Sequence, residues 1–380
     1  MEISSCFCVT AAAVSVFTML WKVREASGAG YQTAAFGTLI GALGASLYFL
    51  VSPVFCGLAL LSCSFILICV TERRRKLLPV KSRAVLVTGC DSGFGHVLAK
   101  RLSEMGVMVF AGVLDVNGAG AQQLREPGSE NLQVLQLDVT DSTQIETAHR
   151  YICAQVADTG LWGLVNNAGV LHCPMDAEIH PITGYIRCLD VNFLAPVKMC
   201  QVFLPLLRRS RGRIVNVSSM AGQVPIPMFA AYGASKAALS VFSQVMRLEL
   251  SVWGVKVALI QPAGFRTNIF GNSDDVARYR DEILAGVSSE AREDYGEAYI
   301  SSLPDSLSKM SQRSLEDLSP VVDDICHALL SVHPKPVYTP GHMGWLLPFV
   351  HRCCPAAVFD AFIVSLAEHT DLEPAGLSRS

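Results

Sequence analysis

The sequence predicts an α/β fold, a doubly wound, mostly parallel sheet with helices on both faces, preceded by an N-terminal transmembrane region. Three observations carry this expectation. Short apolar runs alternate with segments of helical length from residue 81 to about 257. The first run ends in a cluster of glycines that opens a helix. Ahead of it, residues 33–70 carry no charged side chain.

The expected strands are 83–88, 107–113, 132–139, 161–165, 213–217 and 255–260. Between them, residues 96–105, 142–159, 186–209 and 234–253 have helical length. Strands that are apolar throughout, rather than at alternate positions, are buried on both faces, as in parallel sheets. The helices supply the crossovers that parallel strands need. From residue 266 to about 319 the chain turns polar and reads as helical, with Pro304 as a break. Residues 345–350 and 356–366 are apolar, interrupted by His351-Arg352 and Pro355, and each is too short to span a bilayer. The expected organisation is a membrane anchor of two or three apolar helices over 1–76 and a catalytic domain over 77–380. That domain carries a polar helical lid at 266–319 and an apolar C-terminal segment.

Composition agrees with an anchor. Hydrophobic residues make up 51% and charged residues 17%, against about 25% charged in an ordinary soluble domain. A net charge of −3 offers no footprint for nucleic acid. The 13 cysteines have no regular spacing and no C-x-x-C, so neither a disulfide framework nor a zinc site is expected. The nine histidines show no metal-ligand spacing either.

Ser52-Pro53 splits the charge-free run into 33–51 and 54–70. Each piece is near the roughly 17–25 residues that cross a bilayer. Residues 6–21 form a shorter apolar stretch, either a third span or an interfacial helix. A cleaved signal peptide needs a positive segment first, which Met1-Glu2 does not provide. Arg73-Arg74-Arg75-Lys76 closes the run, and Lys22 and Arg24 flank the first stretch. Basic flanks favour the cytoplasmic side. A helical hairpin over 33–70 then leaves the catalytic domain on the cytosolic face.

The glycine cluster reads Thr88-Gly89-Cys90-Asp91-Ser92-Gly93-Phe94-Gly95. Glycines allow a tight turn and let the backbone approach a pyrophosphate, while the helix N-terminus offers amide donors. Alone, such a cluster is also an ordinary strand-to-helix turn. After the first strand of an α/β pattern it marks a Rossmann-type dinucleotide site. Further motifs follow in order: Asn166-Asn167-Ala168-Gly169, Asn192, Ser218-Ser219, Tyr232-Gly233-Ala234-Ser235-Lys236, and Pro262-Ala263-Gly264 with Thr267. Tyr232 and Lys236 are spaced i, i+4 and share a helix face. A free tyrosine has a pKa near about 10, and a neighbouring ammonium favours its phenolate. Such a phenol can take the proton of an alcohol.

This ordered set, with glycines spaced G-x-x-x-G-x-G, resembles the short-chain dehydrogenase/reductase family over roughly residues 81–270. The resemblance implies that Ser219 holds the substrate oxygen, Tyr232 is the base beside Lys236, and Asn192 holds a relay water. It implies cofactor contacts at Gly89, Ser92, Gly93, Phe94, Gly95, Asp138, Val139, Asn166, Ala168, Gly169, Tyr232, Lys236, Pro262 and Thr267. Ala263 departs from the family's usual glycine. The acid that binds a ribose hydroxyl falls on Gly112, with Asp115 as its substitute. Residues 106–123 hold no cation for a 2′-phosphate, so NAD is the expected cofactor.

Residues 77–88, 110–113, 160–171, 247–260 and 294–300 resemble the retinol and hydroxysteroid branch of the family. That resemblance implies oxidation of 17β-hydroxysteroids (estradiol to estrone, testosterone to androstenedione) at the endoplasmic reticulum membrane. Retinol or a 3α-hydroxysteroid is the alternative substrate. A catalytically inactive membrane binding protein is the reading from another class. By family analogy, a homodimer pairs the helices around 186–209 and 234–253.

Overall fold

In the computed structural model, the described residues are 10–12, 14–15, 54, 58–64, 76–125, 131–271, 273–341, 344–366 and 372–379. The chain divides into two units, 1–78 with 331–333, and 79–330 with 334–380. In the first unit, Ser64 Oγ donates to Ser15 Oγ at 2.9 Å and to Leu60 O at 2.9 Å, among buried Ala11 and Leu60. Leu77 forms an antiparallel bridge with Ser331. The expected apolar stretches 6–21, 33–51 and 54–70, with their basic flanks, lie for the most part outside the described residues.

The second unit is built on a seven-stranded sheet in the order β3-β2-β1-β4-β5-β6-β7. The strands are β1 (Ala84–Val87), β2 (Met108–Val113), β3 (Leu132–Gln136), β4 (Gly163–Asn166), β5 (Arg213–Val217), β6 (Lys256–Ile260) and β7 (Val337–Tyr338). Every pairing is parallel. Successive side chains of a strand point to opposite faces. Val85 and Val87 join Val109, Ala111 and Val113 in one core, while Ala84 and Leu86 join Phe110 in the other. This two-sided burial is why these runs read as unbroken apolar sequence.

Helices α1 (Gly93–Glu104), α2 (Ala119–Leu124), α3 (Ser142–Gln155), α4 (Ile182–Leu189), α5 (Ala195–Ser210) and α6 (Ala230–Glu249) occupy the crossovers. Leu98, Ala99 and Leu102 of α1 fill the first core. Ile145, Ala148 and Ile152 of α3, with Met199 and Phe203 of α5, fill the second. Helices α7 (Ser273–Gly286), α8 (Ser289–Tyr295), α9 (Glu297–Ser302) and α10 (Asp305–Arg313) occupy the polar segment, and Pro304 separates the last two. Their apolar residues Ile283, Tyr299, Ile300 and Leu303 pack with Leu171, Met175 and Tyr232 in a third cluster. Helix α11 (Ser319–Leu330) returns to the first core. Helices α12 (Leu346–Cys353) and α13 (Ala356–Leu366) follow, parted by Pro355.

Several expected bounds move. The third strand stops at Gln136 because the Asp138 carboxylate accepts Thr140 N–H at 2.8 Å and turns the chain. The expected helix 186–209 starts at Ile182 and is interrupted by a π-helical segment at Asp190–Leu194. The expected helix 234–253 starts at Ala230 and ends as a 3₁₀ turn, Leu250–Trp253. α2 and β7 were not anticipated. β7 has two paired residues, too few for a period, and its bonds come from distant chain: Gln261 N–H donates to Tyr338 O at 2.8 Å. The helical stretch Ile182–Ser210 is long and apolar enough to cross a membrane, yet its α5 part packs on the sheet.

A polar cluster ties α7 to the loop after β4. Glu282 lies 3.6 Å from His172 Nε2 and accepts the Thr183 hydroxyl at 3.1 Å. His172 and His180 are buried with ring centroids 5.0 Å apart, and Tyr279 and Tyr185 flank them. Burial lowers His172 below the usual imidazole range. Burial, then the neighbouring His172, lowers His180 to about 4. The folded form therefore refuses protons that the unfolded chain takes up below about 6.5. Stability from the cluster is complete above about pH 6.5 and declines as pH falls toward 4. Thermal denaturation in detergent is expected to show this decline, and His180→Phe is expected to flatten it. An unchanged slope in the variant would remove the cluster as its source.

Candidate active site

Between β1 and β4 the strand order reverses direction, and the carboxyl ends of the two strands diverge into a crevice. A cavity of about 630 Å³ opens there. Its walls include Gly89, Ser92, Gly93, Phe94, Asp138, Val139, Ala168, Gly169, Tyr232, Lys236 and Thr267, all expected from the sequence.

The dinucleotide end is shaped by backbone. Gly89 and Gly93 adopt φ of +67° and +59°, which side chains with a Cβ rarely accept. A Cβ on Gly89 would lie 2.8 Å from Ala168 Cα, and one on Gly93 would press on Thr267. Ser92 provides no side-chain cap for α1, and Gly93 and Phe94 line the cavity. The first-turn amides are thus open to an anion. These features fit a nicotinamide dinucleotide with its pyrophosphate at α1. Gly95 matters for packing instead. A Cβ there would lie 2.3 Å from Gly89 O, so the glycine lets α1 approach the turn.

Thr88 and Asn167 join the two loops. Asn167 Nδ2 donates to Thr88 O at 2.9 Å and to Gly89 O at 3.0 Å. In return, the Thr88 hydroxyl accepts Asn167 N–H at 3.0 Å and Ala168 N–H at 3.1 Å.

Near the end of β2, Gly112 has no room for the acid expected of that position, since its Cβ would meet Leu137 Cδ2 at 2.8 Å. Asp115 accepts Asn117 N–H at 2.9 Å and does not line the cavity. Asp138 and Asp190 do, and so does Asp91 from the glycine turn, which accepts Leu114 N–H at 2.9 Å and Asp115 N–H at 3.3 Å. Sequence reasoning passed over Asp91 because it sits among the glycines, not 20 residues beyond them. It also passed over Arg187, the cation besides Lys236 among the lining residues.

At the other end stand the expected catalytic groups. Tyr232 lies in the first turn of α6 and Lys236 one turn on, its Nζ 5.7 Å from the tyrosine ring centroid. Lys236 is buried and donates to Val217 O at 2.9 Å. Ser219 accepts Ala221 N–H at 3.1 Å, and its hydroxyl also interacts with that of Tyr232. α6 is held on the sheet by buried polar groups. Ser218 Oγ donates to Lys236 O at 2.9 Å, and Asn216 Nδ2 donates to Ser243 Oγ at 2.8 Å.

Burial acts on both catalytic candidates. Burial pushes the Tyr232 phenol up to about 12, and Ser219 only partly offsets this. Burial lowers Lys236 to about 8. Lysine alone does not lower the phenol, because the same apolar enclosure penalises both charges.

Six expected residues stand outside the lining: Gly95 and Asp115, Ser219 directly after the lining Ser218, and Asn166, Pro262 and Asn192. Asn166 is buried in β4 and donates to Asn216 Oδ1 at 2.8 Å, a bond within the sheet rather than toward a cofactor. Pro262 does not line the cavity, and its carbonyl accepts Met220 N–H at 3.0 Å. Asn192, in the π segment, is fully buried. Its amide exchanges bonds with Val170 N–H at 2.9 Å and Val170 O at 2.8 Å, and donates to Ser235 Oγ at 3.0 Å. These bonds position the β4 loop against α6. Gly169 keeps that junction open, since its Cβ would sit 3.2 Å from both Asn192 Oδ1 and Lys236 Nζ.

Comparison with known proteins agrees with this arrangement. A family model described as short chain dehydrogenase matches residues 83–277. Estradiol 17-beta-dehydrogenase 2 of Mus musculus is 45% identical over 361 residues, covering 95% of this chain and 94% of that one. The 11-beta-hydroxysteroid dehydrogenase type 2 of Oryctolagus cuniculus is 44% identical, covering 77% and 72%. A short-chain dehydrogenase structure from Streptomyces avermitilis matches in fold, with a TM-score of 0.59 at 23% identity over 76% of this chain and 98% of that one.

Gly95→Ala tests the cradle. The added methyl is expected to cost about 1–3 kcal/mol by overpacking. Thermal denaturation should show a lower midpoint, and added dinucleotide should no longer raise it. A variant still protected like the parent would mean that the turn relaxes.

Proposed function

The chain belongs to the short-chain dehydrogenase family, and from that premise we propose that it oxidises hydroxysteroids with NAD, 17β-hydroxysteroids such as estradiol and testosterone first among them. Tyr232 and Lys236 at one end of a dinucleotide-shaped cavity, with the Ser219 hydroxyl against that of Tyr232, support the reaction. Similarity over 95% of the chain to an estradiol dehydrogenase supports the substrate class. The substrate side is apolar, with Met228, Phe229, Ile269 and Phe270 beside Tyr232, which suits a lipophilic alcohol. An apolar pocket also accepts retinol or a 3α-hydroxysteroid, and the 11-beta relative widens the choice of steroid position.

Bound oxidised nicotinamide supplies the acceptor for the hydride that leaves the alcohol carbon. The Ser219 hydroxyl holds the substrate oxygen, and Tyr232 takes its proton. Burial raises the Tyr232 phenol and lowers Lys236, so the positive charge that an oxidised nicotinamide would bring is needed beside Lys236 to favour the phenolate. Ser92, Gly93 and Phe94 would hold the pyrophosphate, Asp138 and Val139 the adenine, and Thr267 the carboxamide or a phosphate. The Asp91 carboxylate, fixed at the end of β2, repels a 2′-phosphate, which supports NAD over NADP.

The charge-free run with basic flanks supports an anchor over residues 1–76, a catalytic domain over 77–380 with a lid at 266–319, and a cytosolic-facing site on the endoplasmic reticulum membrane. Exposed apolar residues Ile186, Leu189, Val241, Val245 and Leu248 on α4 and α6 support a homodimer.

Cofactor reduction in detergent with estradiol, testosterone and all-trans-retinol tests the substrate. Oxidation of retinol alone would overturn the steroid reading, and turnover of no alcohol would favour an inactive binding protein. Tyr232→Phe should abolish turnover while dinucleotide still raises the thermal midpoint. Near-parental turnover would disprove the base assignment. Asp91→Asn is expected to narrow the NAD to NADP ratio of kcat/KM by about tenfold, or 1.4 kcal/mol. An unaltered ratio would place the discrimination elsewhere.

A further inference from the structure

Helix α13 is apolar nearly all round its circumference, with Asp360 its one charged residue. Such a helix is ordinarily buried. Here only Phe359 and Ile363 are buried among its described side chains, one stripe at i, i+4. Val358 is 59% exposed and Val364 50%, and Phe349 of α12 adds 57%. The buried stripe packs with Val224 and, partly, Met220, in the segment that follows Ser219.

A second copy of the chain is a poor match for this face. An 11-residue helix is about 16 Å long and about 10 Å wide, near 160 Å² of footprint. A stable protein interface needs about 800 Å² per partner. An interfacial helix has no such minimum, because lipid surrounds it on every side. Charge is balanced here, the exposed Arg352 in the last turn of α12 offsetting the exposed Asp360 of α13, so the face meets lipid through its apolar surface.

We infer that the outer face of α13, with Phe349, lies in the headgroup–acyl boundary of a phospholipid bilayer, as a second membrane attachment separate from residues 1–76. The element that meets the lipid then packs against the substrate-side segment, so a lipid-dissolved alcohol reaches Ser219 and Tyr232 without crossing bulk water. The attachment itself does not depend on which alcohol is oxidised.

The test uses the full chain in vesicles of phosphatidylcholine and phosphatidylserine. Val364→Trp places a fluorophore on the outer face, and subtracting the parent spectrum isolates its emission. With bromine on the acyl chains most of that added emission should be lost, while aqueous iodide should leave it intact. Quenching by iodide and not by bromine would mean that the face is in water, and would overturn the inference. Quenching by neither would mean that protein covers it, and would overturn it equally. Val358→Trp repeats the reading at a second position should the first variant fold poorly.

Discussion

The bonds between Thr88 and Asn167 hold the crevice in its shape. They cross the junction of β1 and β4, where parallel strands separate and no ladder bonds continue. Four bonds tie the glycine turn to the loop after β4. Each contributes about 1 kcal/mol net, and each would leave a partly buried polar group unpaired if broken. The dinucleotide cradle and the floor of the catalytic end both hang from this join. Gly89 can turn tightly only because Ala168 is held against it, and Gly169 can open toward Lys236 only because Asn167 is fixed.

The catalytic end rests on a second constraint, the burial of a lysine. Lys236 loses water and gains the Val217 carbonyl, an exchange that leaves its charge costly. Serine hydroxyls from β5 and α6 close on the Lys236 carbonyl, so the helix that carries Tyr232 cannot slide. The π segment at Asp190–Leu194 serves the same end, because the wider turn sets Asn192 at the height of both Val170 and Ser235.

The strands were legible because burial on both faces writes an unbroken apolar run, as in Ala84–Val87. β7 was not, because two residues carry no period and its pairing is set by β6. Spacing in an ordered set of motifs singled out Ser219, Tyr232 and Lys236, and the fold brings the last two to the cavity wall. Asp91 and Arg187 were hidden because nothing local distinguishes them, and they acquire a role only when the cavity gathers residues far apart in sequence. Asn166 and Asn167 are neighbours of one type, yet strand alternation sends the first into the sheet and leaves the second at the crevice.

By itself the sequence determined the class of fold and the glycine turn, and it singled out Tyr232 and Lys236 as candidates for proton handling, since those depend on local pattern and on short, ordered spacings. Tertiary structure decided which carboxylate borders the cofactor end, because Leu137 fills the space beside Gly112. It set Asn192 between Val170 and Ser235, joining the β4 loop to α6. It also set the protonation balance, because the phenol and the ammonium share one apolar enclosure. That balance depends on how much water the fold removes, a quantity no spacing of residues encodes.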